Sequence, residues 1–182
     1  MKVQDVMTQG VTTCTPETNL ADAARSMWIR SCGTLPVLDG DGQLVGMITD
    51  RDICIATGCR RRDPATILVS EVMTGQAHSC SPETDISAAL QIMRQKQVRR
   101  LPVVDSAGKL CGLLSLDDVA LRIQGDAEAI EPRAREFYKT LQSIYGQRAK
   151  PRNINQALPC KDMVAAGETG EGEKIGERGN KS

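Results

Sequence analysis

The sequence has one histidine, His78, and none of its seven cysteines (14, 32, 54, 59, 80, 111 and 160) forms a Cys-x-x-Cys pair. Zinc-ligand spacing is therefore missing, and only His78 is available to join a metal site. The odd cysteine count argues for reduced thiols acting as small, mostly buried apolar residues, with a metal or redox sensor as the alternative. No acid or nucleophile can be placed beside His78. No catalytic constellation appears, so the chain reads as a non-enzyme in which His78 is structural or lines a ligand. Neither sign of charge is in excess, with 23 basic and 23 acidic residues. Nothing global then points to nucleic acid or to an acidic membrane surface. No apolar stretch approaches the ~18–20 residues that cross a bilayer, and Met1-Lys2-Val3-Gln4-Asp5 holds no apolar run of a signal peptide. The expectation is a cytoplasmic protein.

What the chain does contain is itself, twice. A shift of 66 residues lays Val6-Met7-Thr8 on Val72-Met73-Thr74, Pro16-Glu17-Thr18 on Pro82-Glu83-Thr84, and Leu35-Pro36-Val37 on Leu101-Pro102-Val103. The register needs no gap from Asp5/Glu71 to Ile53/Val119, a run of 49 positions of which 17 are identical. A gapless offset of that length means two copies of one supersecondary unit. At about 60 residues each copy is near the lower limit for an independent core, so the two are expected to bury a face against each other.

Within the first copy, Leu20, Ala23, Ala24, Met27 and Trp28 recur at the spacing of one helical face, and Thr15-Pro16-Glu17-Thr18 supplies candidate caps and an early proline. The second copy repeats the stripe with Ile86, Ala89, Leu90 and Met93. A short apolar strand follows each helix, then a turn (Asp39-Gly40-Asp41-Gly42, Asp105-Ser106-Ala107-Gly108), then a second strand (Gln43–Ile48, Lys109–Leu114). Each second strand runs into a helix at Thr49 or Ser115. The unit reads strand–helix–strand–strand–helix, with Cys14 and Cys80 sharing a packing role on matching first strands. Gly58 to Pro64, containing Arg60, Arg61 and Arg62, connects the copies. Three of the four aromatic residues fall in a last helical pattern of Ile130, Ala134, Phe137, Tyr138, Leu141, Ile144 and Tyr145, with Pro132 near its start and Gly146 as a stop. Such a helix docks its apolar face on the module, on a second subunit or on a partner. The boundaries are 1–60 and 66–124 for the copies, 126–146 for the helix, and 147–182 for a tail too polar to bury itself, read as disordered.

The motif richest in chemistry is Gly46-Met47-Ile48-Thr49-Asp50-Arg51-Asp52, repeated as Gly112-Leu113-Leu114-Ser115-Leu116-Asp117-Asp118. Each places a hydroxyl at a strand end and a carboxylate three residues later. One reading is a capping box, in which the hydroxyl caps the helix and the acid returns to the cap's N–H. The other is a nucleoside site. Free N–H groups at a helix start suit a phosphate, and an aspartate accepts hydrogen bonds from both hydroxyls of a ribose. The glycine lets the strand backbone be approached closely. Spacing does not choose between them.

These motifs, in this order and in both copies, closely resemble a tandem pair of cystathionine-β-synthase (CBS) domains, also called a Bateman module. The resemblance covers about residues 1–124. It implies an α/β fold of the α+β kind, in which two units pack by their sheets about a pseudo-two-fold axis and leave two clefts. It implies regulatory binding of AMP, ADP, ATP or another adenosyl ligand, rather than a catalytic cofactor. By that resemblance Asp52 and Asp118 hold ribose, and Thr49 and Ser115 face ribose or phosphate. Adenine lies against Val11, Thr12, Thr13, Leu35 and Pro36 in one cleft and Ala77, His78, Ser79, Leu101 and Pro102 in the other. A homodimer and an unidentified regulated protein are the partners it implies.

The copies part where phosphate is held. Arg99-Arg100 precede the second Leu-Pro strand, and resemble the phosphate-contacting pair of the gamma subunit of AMP-activated protein kinase, whereas the first copy has Gly33-Thr34. Two guanidinium groups neutralise a phosphate with bidentate bonds that Gly33 and Thr34 cannot supply. The second cleft is expected to be the stronger nucleotide site. The alternatives are two solvated arginines and, for the whole chain, a dimerisation scaffold in which Asp52 and Asp118 only cap helices.

Overall fold

The structure, a computed structural model, describes residues 1–122 and 127–148. The polar tail lies outside the described residues from 149 onward. The first copy runs α1 (Leu20–Ile29), β1 (Thr34–Leu38), β2 (Leu44–Thr49) and α2 (Asp50–Arg60). The second runs β3 (Thr74–Gly75), α3 (Ile86–Lys96), β4 (Arg100–Val104), β5 (Leu110–Ser115) and α4 (Leu116–Arg122), and α5 (Ala127–Arg148) follows. β1 pairs antiparallel with β2, and β4 with β5, each hairpin carrying a register shift next to its turn. The turns close as their sequence suggests. Asp39 Oδ1 accepts from Asp41 and Gln43 N–H at 3.0 and 2.8 Å, and Gly42 takes φ +78°. Asp105 does the same for Ala107 and Lys109 at 2.8 and 2.9 Å, with Gly108 at φ +79°. Only glycine takes that backbone without strain.

Several local expectations shift. The Thr-Pro-Glu-Thr segment does not start α1; it closes a turn of its own, Thr18 N–H to Thr15 O at 3.1 Å. The helix begins four residues later, where Asn19 Oδ1 accepts from Asp22 N–H at 2.9 Å. Asp85 caps α3 one residue closer, its Oδ1 accepting from Ser87 N–H at 2.8 Å. The first strand of each copy shrinks to a single bridging residue, Cys14 parallel to Val37 and Cys80 parallel to Val103. α2 runs through Gly58 to Arg60 and stops at Arg61, whose left-handed φ of 47° ends the helical ladder. α5 likewise continues through Gly146, because an interior glycine weakens a helix by about 1 kcal/mol without breaking it. The apolar face of α1 is narrower than its stripe: Leu20, Ala23 and Met27 are buried, but Trp28 is 85% exposed.

The sequence repeat and the structural repeat are not the same segment. Val3 and Val6, from the head of copy one, pack in the core of Leu90, Met93, Leu101 and Leu114 in copy two. Ile67 and Val69, from the head of copy two, pack in the core of Leu20, Met27, Leu35 and Ile48 in copy one. Matching hydrogen bonds fasten each head. Ile67 O accepts from Leu20 N–H (2.9 Å) and Met1 O from Ile86 N–H (3.1 Å). The repeated Pro-Glu-Thr turns receive the heads, Thr18 O from Val69 N–H (2.7 Å) and Thr84 O from Val3 N–H (2.9 Å). Beyond the heads, β3 adds to β2 at Gly46↔Gly75, and Thr8 bridges Leu113. The exchange explains Gly46 and Gly112. A Cβ on Gly112 would lie 2.6 Å from Thr8 O, and one on Gly46 2.8 Å from Thr74 O. The close approach read from the sequence is made by the other copy's Val-Met-Thr segment.

α5 docks on the module itself. It packs against α3 and α4, burying Ile144 and Thr140 and laying Phe137 and Leu141 on the copy-two core. Gln97 Nε2 donates to Ser143 Oγ at 2.9 Å, and Arg94 pairs with Glu136 at 3.4 Å. Copy one has no such cover among the described residues. The glycines predict opposite outcomes in urea denaturation. Gly112→Ala forces overpacking and is expected to lower stability by about 1–3 kcal/mol. Gly146→Ala, with nothing within 4 Å of the new Cβ, is expected to raise it by about 0.5–1 kcal/mol.

Candidate functional site

Both hydroxyl–acid pairs form reciprocal caps. Thr49 Oγ1 accepts from Asp52 N–H at 3.2 Å, while Asp52 Oδ2 accepts from Thr49 N–H at 3.0 Å and from Thr49 Oγ1 at 2.7 Å. In copy two the corresponding distances for Ser115 and Asp118 are 3.1, 2.8 and 2.6 Å. The capping geometry is thus present twice. It occupies one carboxylate oxygen only, and both acids stay half-buried rather than sealed.

The second oxygen differs between the copies. Asp118 Oδ1 accepts from Thr8 Oγ1, delivered by the exchanged head, at 3.1 Å. Thr74 occupies the matching place in copy one, yet among the described residues Asp52 Oδ1 receives no hydrogen bond from it.

The arginines stand beside the copy-two pair. Arg100 is the register partner of Ser115 across β4 and β5, and Arg99 O accepts from Leu116 N–H at 3.0 Å. Arg99, Arg100, Ser115 and Asp118 therefore gather where β4 and β5 meet α4. In copy one, Thr34 is opposite Thr49, but its hydroxyl is spent on Ile48 O at 3.0 Å. Copy one also carries a carboxylate that copy two lacks. Asp50 Oδ2 lies 3.0 Å from where a Cβ on Gly33 would be, and Leu116 takes the place of Asp50 in copy two. The mismatch between Asp50 and Leu116 is visible in the repeat alignment; the reach of Thr8 to Asp118 is not, because 110 residues separate them.

The residues expected around adenine divide. Leu35 and Leu101 are fully buried in the two cores, so only their backbone is available. Pro36 and Pro102 are buried too, and their carbonyls accept from Cys14 and Cys80 N–H at 3.1 Å each. Val11, Thr12, Thr13, Ala77 and Ser79 are half-buried just ahead of those bridges, and His78 is exposed. The linker arginines are engaged elsewhere: Arg60 and Arg62 pair with Glu71 at 2.7 and 3.3 Å. A bond from Leu68 N–H, together with these arginines, holds the Glu71 carboxyl below its usual range. A groove of about 580 Å³ opens between α1 and α2, and Gly33 and Asp50 line it together with Met27, Trp28, Cys32 and Cys54. It contains none of the residues expected to bind nucleotide.

Comparison with known proteins settles the family. The model of the CBS domain matches residues 3–57 and again 69–125. The chain belongs to the CBS-domain family. The match is to the CBS module alone, and α5 lies beyond it. The CBS domain-containing protein YhcV of Bacillus subtilis is 39% identical over 127 residues, 70% of this chain and 89% of its own length. Hypoxic response protein 1 of Mycobacterium tuberculosis is 34% identical over 117 residues, 64% of this chain and 81% of its own. Among solved structures, CBSX2 in complex with AMP has a TM-score of 0.58 at 29% identity, covering 67% of this chain and 97% of that one.

Six of the pair's cysteines lie in the described residues, all as free thiols, and no group of three His, Cys, Asp or Glu there could hold a metal ion. Burial pushes the bridging thiols of Cys14 and Cys80 up to about 11. Reactivity follows the thiolate. Native protein at pH 8 is therefore expected to be alkylated by iodoacetamide first at exposed Cys54, with Cys14 and Cys80 protected until unfolding; peptide mass spectrometry reads the order. The linkage has a definite sign. Between the ordinary thiol value of 9.0 and about 11 the unfolded chain has lost protons that the folded chain keeps, so stability falls as pH rises through that window.

Proposed function

We propose that this CBS pair is a regulatory module that binds an adenine nucleotide, AMP, ADP or ATP, and signals by a shift between arrangements of its two copies. The observation that carries the reading is the gathering of Arg99, Arg100, Ser115 and Asp118 where β4 and β5 enter α4. One carboxylate, one hydroxyl and two guanidinium groups match the donors and acceptors of a nucleoside phosphate. The relative CBSX2, solved with AMP, supports the same ligand class. Copy two is the stronger phosphate site, because copy one sets Asp50 where the second has Leu116 and glycine where it has Arg99. Copy one suits a less charged adenosyl ligand. Ligand binding favours one arrangement of the copies and passes through the core shared with α5. A cytoplasmic location fits this role; no helix among the described residues is long and apolar enough to cross a membrane.

Titration calorimetry tests the assignment. Asp118→Ala is expected to weaken AMP about 10- to 100-fold, the worth of charge-assisted bonds of ~1.5–3 kcal/mol. Arg99→Ala and Arg100→Ala are expected to weaken AMP while leaving adenosine unchanged. Equal losses for adenosine would remove the phosphate role, and undiminished AMP affinity in Asp118→Ala would remove the ribose role. The capping boxes favour a second reading, a scaffold without ligand, and a wild-type chain that shows no heat with any adenosyl compound would establish it.

The homodimer is part of the proposal. Trp28 and Ile29 are 85% and 63% exposed beside the groove between α1 and α2, a face that a second copy would cover. Trp28→Asp is expected to halve the mass measured by light scattering; an unchanged mass would move the interface elsewhere.

A further inference from the structure

The Val-Met-Thr triplets carry a difference that neither the fold nor the nucleotide site accounts for. Thr8 and Thr74 are repeat equivalents, and both are brought to the other copy's second strand by the exchange. Only Thr8 hydrogen-bonds the aspartate beside it. We propose that the Thr8 hydroxyl competes with a ribose for Asp118 and so sets the affinity and sugar preference of the copy-two cleft. This deepens the nucleotide reading above and rests on it.

Acceptor positions carry the argument. An ionised carboxylate offers about four, two on each oxygen. Asp118 Oδ2 spends both of its positions on Ser115 N–H and Ser115 Oγ, at 2.8 and 2.6 Å. Thr8 takes one of the two on Oδ1 at 3.1 Å. One position remains for a sugar that has a vicinal diol and donates two hydrogen bonds. Asp52 keeps both Oδ1 positions open among the described residues, because Thr74 makes no bond to it. A ribose therefore enters copy one without displacing a protein group, whereas in copy two its second hydroxyl must turn Thr8 away. The displacement is a side-chain rotation. Thr8 N–H and C=O stay paired to Leu113, both at 2.9 Å, so the strand need not part for the hydroxyl to swing.

Titration calorimetry with AMP and 2′-deoxy-AMP in an Asp52→Asn background, which weakens copy one, reads the second cleft. Thr8→Val removes the hydroxyl at nearly constant shape. It is expected to tighten AMP about five-fold, the worth of one net hydrogen bond of ~1 kcal/mol, and to leave 2′-deoxy-AMP unchanged. Thr8→Ser, which keeps the hydroxyl, is expected to keep the parent affinity, and so is Thr74→Val. Thr8→Ala serves as the hydroxyl-free variant if Thr8→Val does not fold. Unchanged or weaker AMP binding in the hydroxyl-free variant overturns the proposal, as does an equal gain for 2′-deoxy-AMP, while leaving the nucleotide reading intact. A parent protein that binds neither nucleotide overturns both.

Discussion

The reciprocal exchange of chain heads is the constraint on which the rest of this molecule depends. Each copy lacks part of its own core, and the missing residues, Val3 and Val6 or Ile67 and Val69, arrive from the other copy. At about 60 residues a single copy has little core to spare, so losing two fully or nearly buried valines or an isoleucine and a valine would leave it marginal. The two copies therefore stand or fall together. The motif glycines follow from the same constraint, since only a residue without Cβ admits the incoming Thr8 or Thr74 carbonyl.

The exchange also determines what the aspartates can do. A capping aspartate needs one oxygen to hold its helix start, which frees the other for chemistry. Capping therefore does not exclude ligand binding by the same carboxylate. What separates the two clefts is the company around that free oxygen. In copy two Thr8 bonds it, and Arg99 and Arg100 lead the strand paired with Ser115; copy one has Gly33 and Thr34 at those strand positions, the Thr34 hydroxyl spent on Ile48 O. The pseudo-symmetry is one of backbone, and it breaks in charge.

Much of this was legible in the chain because period and turn chemistry are local. The stripes of α1 and α3, the Asp–Gly hairpin turns and the hydroxyl–acid caps all follow from residues within a few positions of one another. The errors were of one kind. Thr15-Pro16-Glu17-Thr18 looked like a helix start, yet its carbonyls receive the exchanged head, a partner some 50 residues away. Trp28 fitted the helical stripe, but periodicity cannot say how wide a face the core covers, and α1 buries only three of the five stripe positions. Thr8 carried no local signal at all, since its partner is set by topology. Arg60 and Arg62 read as a plain connection, and the grip they have on Glu71 is not legible there because Glu71 belongs to the next copy's head.

The asymmetry extends past the clefts to the ends of the chain. The copy-two core holds Val3 and Val6 from the N-terminal head, Leu116 and Val119 from the helix that Asp118 caps, and Ile144 from α5. These elements share one buried cluster with Leu90, Met93, Leu101 and Leu114. Close-packed interiors do not absorb displacement gradually; they settle into alternative arrangements. Asp118 caps α4, and α4 packs against α5, a neighbour that copy one does not have among the described residues. Copy one packs its own hairpin and helices with the head of copy two, and nothing beyond them among the described residues. Of the two copies, the one that carries Arg99 and Arg100 is also the one packed against α5, which lies beyond the matched CBS domains.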